Sequence, residues 1–199
     1  MKGVVNKGLQ ELVEYRFGEK AWDEIRLALG CDVNTFWPSR DYPDSLTVEL
    51  FVATARHLKM TPDEIMIEFG KYWLGNTGKN VYPMLFALVG DNPRDFLRRL
   101  DFIHHQATIS LPGTRGFTLR SEDLPDGGIT LHYTSELPLC PVLHGLILGA
   151  GLNFNQVLQV EEVQCTRNGA PECVFKIHFP ENELETAMSL AGASESVSK

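Results

Sequence analysis

Two sets of residues in this 199-residue chain have the types and spacing to do chemistry. The first is a histidine in the stretch 91–111, DNPRDFLRRLDFIHHQATISL. Asn92 reads as an N-cap, Pro93 as the first helical residue and Asp95 as a first-turn carboxylate at the positive end of the helix. Leu97, Leu100, His104, Ala107 and Leu111 then recur at helical steps, while Arg98, Asp101, His105 and Thr108 fall on the polar side. The spacing therefore predicts His104 inward and His105 outward. A neutral imidazole on an apolar face is satisfied either by hydrogen bonds within a core or by ligating a metal or haem iron. The second set is Cys140, His144, Cys165 and Cys173. Cys140 and His144 share one face of a predicted helix, and a three-residue loop at 168–170 would set Cys165 and Cys173 directly opposite each other. Three thiolates and an imidazole suit tetrahedral zinc; the alternative is a group of reduced thiols. Cys31 is far off in a helical loop and takes no part.

The elements that must position these groups divide the chain in two. Val5, Leu9, Leu12, Val13 and Phe17 form a helical stripe stopped by Gly18, and Ala21, Trp22, Ile25 and Leu29 form a second, stopped by Gly30. An irregular loop tucked down by Phe36 and Trp37 leads to a third helix over 46–58. Thr61, Pro62 and Glu64 give a compact start signal for a fourth, running to Gly70, with 71–75 bent or restarted and a short helix over 82–89. From Pro112 the pattern changes to period two: strands over 117–120 and 129–133 around a Pro-Asp-Gly-Gly turn, a buried helix over 140–152, and strands over 156–165 and 172–179 joined through Asn168-Gly169. The expected fold class is α+β, a single domain over 1–180 with a mainly helical part (1–110) and a sheet-and-helix part (111–180), followed by a loosely held tail, 181–199.

Composition narrows the function. The formal charge of −8 argues against nucleic-acid binding, which needs a basic surface. No apolar run is long enough to span a bilayer, and MKGVVNKGLQ lacks the apolar core of a signal peptide, so the cytoplasm is the expected compartment. There is no Gly-x-Ser-x-Gly elbow, phosphate-binding glycine loop or His-Glu-x-x-His helix, so no enzyme is expected.

Several of these stretches together resemble one family. The opening MKG before an amphipathic helix ending in Phe-Gly, FGKYW over 69–73, LDFIHHQ, and Tyr133-Thr134-Ser135 ahead of a glycine-containing helix are similar to the haem-nitric oxide/oxygen binding (H-NOX) domains, over nearly the whole chain. The resemblance implies that a helical part and an antiparallel sheet clamp haem b, with His104 as the axial iron ligand. The family grips the haem propionates with Tyr-x-Ser-x-Arg; Tyr133 and Ser135 match, whereas the arginine position holds Leu137. Losing that charge-assisted contact costs roughly 1.5–3 kcal/mol, so weaker haem retention is expected, with Arg115 or a backbone amide as substitute. Phe117 stands where the family has a proline pressing on the porphyrin. Leu9, Trp73 and Val142 fall over the iron, Val142 where oxygen-binding members carry a tyrosine. Dioxygen bound to iron is stabilised by a donor and nitric oxide binds without one, so the resemblance implies a nitric oxide sensor that also takes carbon monoxide. Its partner would be a histidine kinase, a diguanylate cyclase or another signalling enzyme. A haem-independent zinc or thiol redox sensor built on the Cys140, His144, Cys165 and Cys173 cluster is the alternative.

Overall fold

The computed structural model describes residues 1–84, 90–110 and 117–180. The helical half contains α1 (Gly3–Phe17), α2 (Glu19–Ala28), α3 (Asp44–Leu58), α4 (Pro62–Gly75) and α5 (Thr77–Val81). Next come α6 (Pro93–Arg98) and α7 (Leu100–Ser110), then β1 (Thr118–Asp123), β2 (Ile129–Thr134), α8 (Cys140–Asn153), β3 (Gln159–Gln164) and β4 (Cys173–His178). The α+β class holds. The short helix expected over 82–89, the segment around the predicted boundary near 111–116 with Arg115, and the tail 181–199 fall wholly or mostly outside the described residues.

α4 starts as its sequence dictates: the Thr61 hydroxyl accepts from the Glu64 amide, and the Glu64 carboxylate accepts from the Thr61 amide at 2.7 Å. It does not stop or bend at Gly70, as the glycine suggested, but runs on to Gly75. Gly70 sits against the α8 backbone, where an added Cβ would lie 2.3 Å from the Val142 carbonyl oxygen. Gly145 and Gly149 of α8 meet Ile67 and Lys71 of α4 in the same way. The glycines therefore serve close helix packing rather than helix ends.

The predicted single helix after Asn92 is also corrected. Asn92 caps it, accepting from the Asp95 amide at 2.9 Å, but the helix breaks at Arg99, whose φ of −101° and ψ of 7° separate α6 from α7. Phe96 and Leu97 before the break and Leu100 and Ile103 after it are all buried.

The sheet is wholly antiparallel in the order β1-β2-β4-β3. Ile129, Leu131 and Tyr133 of β2 and Cys173, Phe175 and Ile177 of β4 alternate onto its buried face, and α8 with α6 completes that core. A second core of Leu9, Leu12, Trp22, Phe36, Leu50 and Phe51, among others, fills the helical half. No described helix is long and apolar enough to cross a membrane.

Candidate functional site

Between the two cores lies a cavity of about 190 Å³. α4 contributes Phe69, Trp73 and Leu74, α7 contributes His104, the sheet contributes Tyr133, and α8 contributes Val142, Leu143 and Leu146. Its wall is almost entirely apolar, which makes the few polar groups informative.

His104 is half-buried on that wall, and His105 points to solvent, as their positions on the helix predicted. Burial, reinforced by the neighbouring His105 charge, holds the His104 imidazole down at about 4, so it is neutral with a lone pair available at pH 7. The ordinary value is 6.5, so between these two values the unfolded chain binds a proton that the folded one refuses. This contribution to stability is complete above pH 6.5 and is lost as pH falls toward 4. In haem-free protein, the unfolding free energy of wild type relative to His104→Phe should fall across that window and stay level above it. A constant difference from about pH 7 to 4 would refute the buried neutral imidazole.

Tyr133 and Ser135 come together at one end of the cavity. The Tyr133 phenol is pushed up to about 12, mainly by burial, and remains a hydroxyl donor. Ser135 Oγ accepts from the Leu137 amide at 3.2 Å, which places the Leu137 side chain on the wall beside them. Phe117 lines the cavity next to His104, and its ring centroid is 5.3 Å from that of Tyr133. Val142 is also on the wall.

Leu9 is not. It is fully buried in the helical core with Leu12 and Val13, and the first turn of α1, Val4 and Val5, reaches the cavity instead. Trp73 is on the wall, its indole seated between two glycines: an added Cβ at Gly8 would lie 2.9 Å from Cδ1, and one at Gly78 2.4 Å from Cζ3. Its Nε1–H is buried with no acceptor among the described residues. Met1 and Lys2, which no local sequence signal marks, also line the cavity. Lys2 Nζ is 2.9 Å from Asp41, and the Met1 ammonium pairs with Asp44. The bridge Lys2↔Asp41 that puts them there is a tertiary contact with no local signal.

The cysteines form their own group at the N-terminal end of α8, where Cys140 opens the helix. Cys140 Sγ is 3.5 Å and Cys173 Sγ 3.7 Å from Cys165 Sγ, and all three residues are buried. Cys165 and Cys173 do face each other, but not across a three-residue loop. A 3₁₀ turn, Thr166–Asn168, and Gly169 at φ 88° lie within a longer connection, and the register Gln164↔Val174 brings the sulfurs together. The fourth ligand-type atom within 4.8 Å is a Glu162 carboxylate oxygen, not His144. His144 is one helical turn beyond Cys140, with its ring 5.9 Å from that of Phe175, so it sits further along the sheet. Burial raises the Cys140 thiol well above its ordinary range. Arg167 grips Asp63 of α4 with two bonds of 2.8 and 2.9 Å, tying this hairpin to the helical half. Cys31 lies apart, in the helical core.

A helical half set on a four-stranded antiparallel sheet, with an imidazole on the wall of an apolar cavity between them, is the architecture of an H-NOX domain. The family model described as Haem-NO-binding (HNOB) matches residues 2–162, and the chain belongs to that family. The resemblance carried by the sequence motifs holds. An H-NOX protein from S. oneidensis, solved in the Fe(II)NO ligation state, superposes with a TM-score of 0.83 at 21% identity, covering 91% of this chain and 100% of that one. A mutant H-NOX protein from K. algicida, solved in the unliganded Fe(II) state, gives 0.79 at 21% identity, covering 92% and 98%. Among curated proteins, soluble guanylate cyclase gcy-32 of Caenorhabditis elegans is 24% identical over 156 residues, 74% of this chain and 22% of its own length. Soluble guanylate cyclase 89Db of Drosophila melanogaster is 22% identical over 135 residues, 68% of this chain and 20% of its own length. The chain thus spans about a fifth of the length of these relatives.

Proposed function

We propose that this chain is a cytoplasmic gas-sensing module, itself without catalytic activity, that holds haem b through His104 and reports nitric oxide to a signalling protein. The observation that carries this reading is the neutral imidazole on the wall of an apolar cavity between the two halves. The residues present fit haem: apolar side chains for the porphyrin, His104 for the iron, and the Tyr133 and Ser135 hydroxyls for the propionates. Leu137 supplies no guanidinium, and the nearby amines of Lys2 and Met1 already have acidic partners, so haem is held less tightly than by the complete motif. Ferrous haem bound there supplies an open coordination position for a diatomic gas. The α8 wall of Val142, Leu143 and Leu146 offers that gas no donor, leaving the Trp73 indole N–H, unpaired among the described residues, and the lack of a tyrosine at Val142 favours nitric oxide and carbon monoxide over dioxygen. A histidine kinase or a diguanylate cyclase is the proposed receiver. Purified ferrous protein should show an intense haem Soret band that shifts with nitric oxide and with carbon monoxide and forms no lasting oxygen complex in air. Absence of the band refutes haem binding; a long-lived oxy spectrum refutes the selectivity.

A second site has its own support in the three clustered sulfurs. We propose that Cys140, Cys165 and Cys173, with Glu162 in place of His144, hold a structural zinc ion. The buried Cys140 thiol, which burial pushes up, is inert until a cation draws off its proton, so a metal-free redox sensor is the weaker alternative. Protein purified without added zinc should contain about one Zn²⁺ per chain. Cys165→Ser, Cys173→Ser and Glu162→Gln should lower that content, whereas His144→Ala and Cys31→Ser should not. Zinc lost with His144 and kept without Glu162 would reverse the assignment.

A further inference from the structure

The His104 and Phe117 rings lie face to face, with centroids 3.6 Å apart and planes inclined by 25°. That is closer than the roughly 4.5–7 Å usual for aromatic pairs. Beyond Phe117 the Tyr133 ring follows at 5.3 Å and 53°, so three rings run in series from α7 to β2. The torsion that turns a histidine ring about its Cβ–Cγ bond is broad, and backbone conformation alone does not set the ring plane. A neighbour must do so. Phe117 is itself placed by β1, whose next residue, Thr118, pairs with Thr134.

We propose that Phe117 is a positioning residue for the axial imidazole: its face sets the plane of the His104 ring, so that the nitrogen lone pair is presented to haem in one orientation. The inference rests on the haem reading above and adds the group that orients the ligand. A branched aliphatic side chain at 117 would fill similar space but offer no plane, leaving the imidazole free to turn.

The test compares the full chain with Phe117→Leu and Phe117→Tyr. In haem-free protein, the His104 ring protons should resonate upfield in wild type and Phe117→Tyr, under the ring current of residue 117, and return toward ordinary positions in Phe117→Leu. In ferrous haem protein, the iron–histidine stretching band should broaden in Phe117→Leu alone. Haem transfer to excess apomyoglobin should be roughly two- to tenfold faster for Phe117→Leu, the factor expected for losing one aromatic pair, and return to the wild-type rate in Phe117→Tyr. If Phe117→Leu matches wild type in all three measurements, or Phe117→Tyr behaves like Phe117→Leu, the inference is overturned, the second case showing that volume and not a flat face matters. A missing Soret band in all three proteins would overturn the haem reading and this inference together, whereas equal bands and equal transfer rates would overturn the inference alone.

Discussion

His104→Ala should abolish haem binding, and His105→Ala should leave the absorbance spectrum nearly unchanged. The two histidines are adjacent in sequence, yet one lines the cavity and the other is exposed. Among the described residues the iron–imidazole bond would be the sole strong directional link to a bound porphyrin, because Leu137 stands at the arginine position of the propionate grip. Its removal is therefore more severe than in a site with a complete set of charge-assisted contacts. Added imidazole should partly restore the Soret band in His104→Ala, since the truncated side chain leaves room for it. Retention of five-coordinate haem by His104→Ala, with loss in His105→Ala, would reject the axial ligand.

The second large effect concerns stability. A Cβ at position 145 would lie 2.1 Å from the Ile67 carbonyl oxygen, 2.8 Å from its carbonyl carbon and 2.9 Å from the Gly70 Cα. These are backbone atoms of a helix and cannot rotate aside, so Gly145→Ala must push α4 and α8 apart. Overpacking of a well-filled core costs about 1–3 kcal/mol, and this contact belongs at the upper end. For a chain of this size, each kcal/mol lowers the melting temperature by roughly 2–4 °C, giving a fall of about 6–12 °C. Gly75→Ala is the control, because it is helical with nothing within 4 Å of the added carbon; it should be neutral or stabilising by up to about 1 kcal/mol. Equal melting temperatures for the two variants would show that the helices are not in such close contact.

Local signals were readable where the physics is local. The capping box at Thr61 and Glu64, the β1–β2 hairpin and the opposite facing of His104 and His105 each depend on residues a few positions apart. The misreadings share a different cause. Gly70 looks like a helix stop until the α8 backbone is brought against it, and the break at Arg99 has no local sequence signal. The four-residue spacing of Cys140 and His144 fixes a shared helix face but not which part of it meets the β3–β4 hairpin, so Glu162 went unrecognised. Leu9 and Val5 belong to one stripe, and only tertiary packing chooses which turn of α1 meets the cavity.

The interruption at Arg99 also sets a length. Phe96 and Leu97, just before it, are almost wholly enclosed and would serve as the fulcrum of any swing of α7, whose 11 residues are roughly 16 Å long. His104 stands only four residues along that helix, roughly 6 Å from the pivot. A swing of about 10° would move its Cα by roughly 1 Å and the far end near Ser110 by roughly 3 Å. A pivot at Arg99 would multiply displacement: a slight motion at the imidazole would become a larger one near Ser110.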